Sequence, residues 1–315
     1  MKRKTIITGV NFLGVLNPNV YRLLNYYGYL SFLKYPGISC NFEELNKFIG
    51  IAKELNVVVD INGLPGLIPR LHAKHICDNI DWERVSKDLF SLRGSNVFST
   101  HIGADKLFMA KQKDFDAVLR KNMYAMKNTI LVKYNRSIIN VGGENQPGGR
   151  IYPQIFITPE FVGHAWEILD FGVFDVSHAR LAAEELGITF EEYVERLKNR
   201  DKVKIIHISG CDLSVKNPIK RDSHIVTTIR EYQILLSILP KFKHVKRIAS
   251  EYAYHKRHSN LPTVKDLVTE TITLHTALET RDISKTEEML TYLKKQKMNT
   301  AQEVEKVLKR ISGHN

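Results

Sequence analysis

Cysteine is scarce in this chain: Cys40, Cys77 and Cys211 are the only three among 315 residues, odd in number and far apart. That spacing forms no CxxC zinc pattern and no disulfide framework, and it suits reduced thiols. Long apolar runs are also missing. Those present are short and interrupted by charge, which excludes a membrane-spanning helix. The Met-Lys-Arg-Lys start leads into a strand-like segment without a cleavage site, so the expected location is the cytoplasm and no membrane partner is expected. Neither a Gly-x-Gly-x-x-Gly nor a P-loop follows an early strand, which argues against a nucleotide-binding open sheet. Internal repeats and low-complexity tracts are absent.

Positive charge is plentiful: 46 Lys and Arg stand against 34 Asp and Glu, a net charge of +12. Residues 263–315 hold nine basic and eight acidic side chains, so an excess of eleven lies on the first 262 residues. A basic body favours an acidic partner, such as nucleic acid, a phosphorylated metabolite or an acidic peptide. A lysine-rich composition without any such partner explains the same number.

Apolar runs that end in small or polar residues recur along the chain, each followed by a stretch of helical periodicity, which is the sign of βα units. Strands are predicted at Thr5–Gly14, Tyr29–Lys34, Asn56–Ile61, Asn96–His101, Ile138–Glu144, Gly172–Asp175, Lys204–His207 and Arg247–Glu251. Helices are predicted at Asn19–Tyr27, Phe42–Leu55, Trp82–Leu92, Lys113–Lys127, Pro159–Leu169, Phe190–Asn199 and Val226–Leu239. Thr158-Pro159-Glu160 and Thr189-Phe190-Glu191-Glu192 carry the hydroxyl cap and the early proline or acid of a helix start. The reading is an α/β protein: a (β/α)8 TIM barrel over residues 1–262, then a C-terminal helical extension over 263–315 with helices at Val264–Glu279, Ser284–Lys297 and Thr300–Ile311.

In such a barrel, side chains at the carboxyl ends of the strands converge on one mouth. Every predicted strand from the fourth onward ends in a group able to bind metal: His101, Glu144, Asp175 with His178, His207, and Glu251. The loop after the seventh adds Asp222 and His224. Asp60, closing the third strand, is a further candidate. Each has an ordinary alternative: a salt bridge for Glu144 or Glu251, a helix cap for Asp175, a structural hydrogen bond for His178. Together at one end of one barrel they point to metal, and there are enough bridging carboxylates for two or three ions. Glu144 and His178 are candidate catalytic groups. Arg150, in the Gln146-Pro147-Gly148-Gly149-Arg150 loop, could hold a carboxylate or phosphate, or simply belong to a βα turn. Lys216, Lys220 and Arg221 steer an anion or solvate their loop, and Cys211 reads as one small buried thiol.

These residues resemble the xylose-isomerase-like barrels that include endonuclease IV, and within them the multinuclear non-haem iron-dependent oxidative enzymes of methanobactin biosynthesis. The resemblance runs from Ser99-Thr100-His101-Ile102 through Glu144-Asn145, Asp175-Val176-Ser177-His178, His207-Ile208-Ser209-Gly210 and Asp222-Ser223-His224 to Glu251. It implies an enzyme with His101, Glu144, Asp175, His207, Asp222, His224 and Glu251 as iron ligands. It also implies oxidation of a cysteine in a ribosomally made precursor peptide, and a separate leader-binding partner protein. The sequence departs from that family at Asp60, where the family has histidine, and at His178, where it has asparagine. Endonuclease IV shares His178, which leaves open zinc-dependent cleavage of DNA at abasic sites with nucleic acid as partner. A sugar isomerase or epimerase using a single Mn or Mg ion is the third reading.

Overall fold

A computed structural model describes residues 6–14, 16–35, 42–62, 87–88, 91–94, 97–102, 114, 116–117, 119–121, 124, 140–147, 154–211, 224–252 and 262–313. Eight parallel strands close on themselves in sequence order: β1 Ile7–Asn11, β2 Phe32–Tyr35, β3 Val58–Asn62, β4 Val97–His101, β5 Asn140–Glu144, β6 Phe171–Asp175, β7 Val203–Ile208 and β8 Arg247–Ser250. The seam is made by β1 and β8, with Ile7 beside Arg247 and Val10 beside Ser250. The predicted TIM barrel is therefore the observed fold, and each of the eight strands lies where its alternation placed it, with bounds shifted by no more than about three residues.

The described helices are α1 Pro18–Tyr26, α2 Phe42–Leu55, α3 Pro159–Ile168, α4 Val176–Leu186, α5 Phe190–Arg196, α6 Ile229–Ile238, α7 Val264–Thr280, α8 Ile283–Lys295 and α9 Ala301–Ser312. Most start on a side chain that satisfies an otherwise orphaned amide. Thr158 accepts from Phe161 N at 3.3 Å, Thr189 accepts from Glu192 N at 3.0 Å, and Thr300 forms a capping box with Glu303. Helix α4 answers the helix-cap reading of Asp175 and starts three residues before Ala179, from where the sequence looks helical. It begins directly after Asp175, with no loop between strand and helix, and Gly187 ends it in the left-handed region at φ +69°. The predicted helices Trp82–Leu92 and Lys113–Lys127 lie largely outside the described residues. Helix α7 packs on β1 and β8, in the place of the eighth barrel helix, while α8 packs on α7 and α9 on α1. Among the described residues, no helix is long and apolar enough to cross a membrane.

The interior of the barrel divides into two levels. Phe171, Val173 and Ile205, with Val97, form a small apolar cluster separate from the main core between strands and helices. Two positions further along their strands stand Asp175 and His207, and Lys34, Asp60 and Glu144 are buried as well. The first level fills the barrel; the second carries the chemistry. Gly142 serves the first level: a Cβ there would lie 2.2 Å from the buried Phe171 ring. Gly142→Ala should therefore cost about 2 to 3 kcal/mol of stability, seen as a lower urea midpoint, and an unchanged midpoint would mean that the ring has room to move. Gly143 instead clears space for Leu169 and Ile102 outside the barrel, so the two glycines serve packing on both sides of β5.

Candidate metal centre

Among the described residues two groups have ligand atoms close enough to share an ion: Glu144, Asp175, His207 and Glu251, all buried, and His101, Glu144 and His178. Glu144 belongs to both. Its Oε1 lies 3.0 Å from His207 Nδ1, and Oε2 lies 3.6 Å from His101 Nε2. Asn62, at the end of β3, donates to Oε2 at 2.8 Å and fixes the rotamer. Glu251, just past the end of the neighbouring strand β8, approaches the same histidine, its Oε1 3.1 Å from His207 Nδ1, while its Oε2 lies 3.5 Å from His224 Nδ1.

Asp175 satisfies both of its sequence readings. Its Oδ1 accepts from His178 N at 2.6 Å and caps α4, and the carboxylate still belongs to the four-ligand group. Asn145 locks this corner by donating to the Asp175 carbonyl at 2.9 Å and accepting from its amide at 2.7 Å. His178 likewise combines its two readings: Nδ1–H donates to the Asn145 carbonyl at 2.8 Å. That bond selects the tautomer whose Nε2 carries a lone pair, the usual arrangement of a ligating histidine. His224 is held beside the mouth by a short antiparallel bridge, Gly210 N to Ile225 O at 2.9 Å and Ile225 N to Gly210 O at 3.2 Å. Its own φ of +45° is an uncommon backbone conformation for a side-chain-bearing residue.

Of the sequence candidates, the barrel thus gathers His101, Glu144, Asp175, His178, His207 and Glu251 into the two groups and sets His224 at their edge. Asp222, Arg150, Lys216, Lys220 and Arg221 lie outside the described residues. Asp60 joins neither group. Burial pushes its carboxyl up to about 6, against the pull of the Arg247 and Lys34 charges. Cys211 is half-buried rather than buried and belongs to neither group. Tyr252 turns away from the mouth and donates to Asp266 Oδ2 at 2.9 Å.

One residue escaped the sequence reading. Lys34, on β2, is buried at 2% exposure, ion-paired with Glu251, and its Nζ lies 3.4 Å from His207 Nδ1. The available signal was its parity: Lys34 shares the inward face of its strand with Phe32, an unusual place for an ammonium group.

The donor set fits a metal ion. Three buried carboxylates face one buried ammonium, an arrangement whose desolvation cost calls for further positive charge. His207 is pushed down to about 4 by burial and next by the Lys34 charge, so at neutral pH it is the uncharged imidazole that ligation requires. Its Nε2 is buried with no hydrogen-bond partner. Burial works to raise the Glu144 carboxyl, but the electrostatic and hydrogen-bond contributions of His207, His101 and Lys34 together hold it well below the usual carboxylate range. Mixed oxygen and imidazole donors suit Mn, Fe or Zn.

No family model and no curated protein sequence matches the chain. Solved structures do. It is similar to a D-tagatose 3-epimerase-like protein, with a TM-score of 0.52 at 16% identity, over 87% of this chain and 98% of that one. A xylose isomerase domain containing protein from Salmonella typhimurium LT2 also gives 0.52, at 11% identity over 93% and 97%. L-ribulose 3-epimerase gives 0.52 at 12% identity over 91% and 98%. At these identities the likeness establishes the α/β barrel fold alone.

Proposed function

We propose that the chain is a metal-dependent isomerase or epimerase that moves a proton at a carbon next to the carbonyl of a sugar or similar polyol. The observation that carries this reading is the closed group Glu144, Asp175, His207 and Glu251, in which two glutamates, one ending β5 and one following β8, flank one histidine. A divalent cation held there would polarise neighbouring carbonyl and hydroxyl oxygens. Glu144 and Glu251 are placed to work from two sides of a bound substrate, one removing the proton and the other returning it. Asn62 keeps Glu144 aimed, and the Asn145 bonds keep Asp175 and His178 in register. The epimerases among the solved structures with this fold agree with the reading.

A second reading rests on the second group. His101 and His178 share Glu144 with the first four residues, which is how a bridging carboxylate serves two ions. This favours iron-dependent oxidation of a precursor peptide, with a leader-binding partner protein, as the resemblance to the methanobactin-biosynthesis family implies. Zinc-dependent DNA cleavage would use the same groups.

Elemental analysis of protein purified without added metal, followed by incubation of the Mn-loaded chain with ketoses in heavy water, separates these readings. One divalent ion per chain and deuterium appearing beside the carbonyl support the isomerase. Two or more irons per chain and no deuterium uptake would replace it with the oxidative reading, and a chain that retains no metal would overturn both.

A further inference from the structure

The buried lysine is unexplained by either reading. It lies against the four-ligand group, in contact with Glu251 and 3.4 Å from His207 Nδ1. Its neighbour across the β2–β3 ladder is Asp60, paired with it in register. Asp60 is fully buried, and neither carboxylate oxygen has a donor in hydrogen-bonding geometry. One ammonium group therefore lies between two acidic positions, one inside the ligand group and one beside it.

We infer that Lys34 is an exchangeable internal cation: without metal its ammonium occupies the four-ligand group on Glu251, and an entering divalent ion displaces it to Asp60. The inference rests on the metal-site reading above. Three physical points support it. Glu144, Asp175 and Glu251 cannot remain buried and ionised together without a counter-charge, and Lys34 supplies one in the metal-free protein. With the lysine the three carboxylates keep two unmatched negative charges, and with a divalent ion in its place they keep one, so the exchange lowers the buried imbalance. The flexible four-carbon stem allows the ammonium group to swing between adjacent strands without moving the backbone. Asp60, already subject to the Arg247 charge, then takes the ammonium group as a second cationic partner.

Two substitutions test this in the full-length chain, with Mn2+ as the probe. Lys34→Met removes the competitor, so Mn2+ should bind ~10-fold or more tightly, a conservative figure for removing a like charge a few ångströms away. In EDTA the same variant should melt roughly 5 °C or more below the parent, because the carboxylates lose their partner. Asp60→Asn removes the second resting place with little change of shape, so Mn2+ should bind ~10-fold or more weakly, and this variant decides the matter where Lys34→Met does not fold. Parent protein that binds Mn2+ while Lys34→Met binds no tighter, or while Asp60→Asn binds equally well, would overturn the exchange and leave the metal site standing. Parent protein that takes up no Mn2+ would overturn both.

Discussion

Glu144→Gln protein will hold divalent metal at least ~100-fold more weakly than the parent. Losing an outer-shell partner of a ligand already costs about ten- to a hundredfold, and Glu144 is the one described residue common to both ligand groups. Glutamine keeps the volume and leaves one oxygen, yet it brings no charge, and its amide group would meet either His207 at 3.0 Å or Asn62 at 2.8 Å as a second donor. Proton-transfer activity should fall by about 10²- to 10⁴-fold if this glutamate is also the base. Stability in EDTA at neutral pH should fall as well, since the fold favours the ionised carboxylate and the amide leaves a buried donor facing a donor. Equilibrium dialysis with metal analysis reads the first effect and thermal melting the last. A variant that retains full metal would place the ion away from β5.

A second large effect is expected from a residue away from the ligands. Glu270 on α7 is buried, and its carboxylate gathers donors from two mouth-forming segments: Thr227 through its amide, Thr227 Oγ1 at 2.6 Å, and Ser250 Oγ at 2.9 Å. Thr227 follows His224 by three residues and Ser250 precedes Glu251, so one side chain fastens the last two candidate ligands to the helix behind them. Burial pushes its carboxyl up to about 7, although the Thr227 and Ser250 hydrogen bonds oppose this. A carboxyl raised in the folded state favours folding in its protonated form. Its contribution is complete below the ordinary value of 4.5 and is lost as pH rises to about 7, on the order of 3 kcal/mol in all. Glu270→Gln, which mimics the protonated acid, should abolish this decline, so that urea stability of the variant exceeds that of the parent at pH 8 and approaches it at pH 4.5. Glu270→Ala should destabilise at every pH by about 2 to 4 kcal/mol, because several buried donors lose their acceptor. Parallel pH slopes for parent and Glu270→Gln would refute the assignment.

Much of the barrel was legible because period-two alternation is a local property, and each strand ends where its apolar run stops. The mouth was legible for the same reason, since a parallel closed sheet carries every strand's last inward residue to one end. Only the start of helix α4 was blurred, at a place where one residue performs two tasks: Asp175 closes β6 and caps the helix at once, so no loop composition separates them. Asp60 looked like one more strand-end ligand, and its register with Lys34 assigns it a different neighbour.

The sequence by itself determined the element order, the fold class and the set of strand-end residues from which a metal centre could be drawn, because these depend on spacing along the chain. Only the tertiary structure decided how that set divides into two groups around Glu144, and that a lysine from β2 lies between a histidine from β7 and a glutamate following β8. Such partnerships form across the barrel's interior between residues separated by most of the chain, where closure of the sheet and desolvation of charge, rather than any local pattern, select which side chains meet.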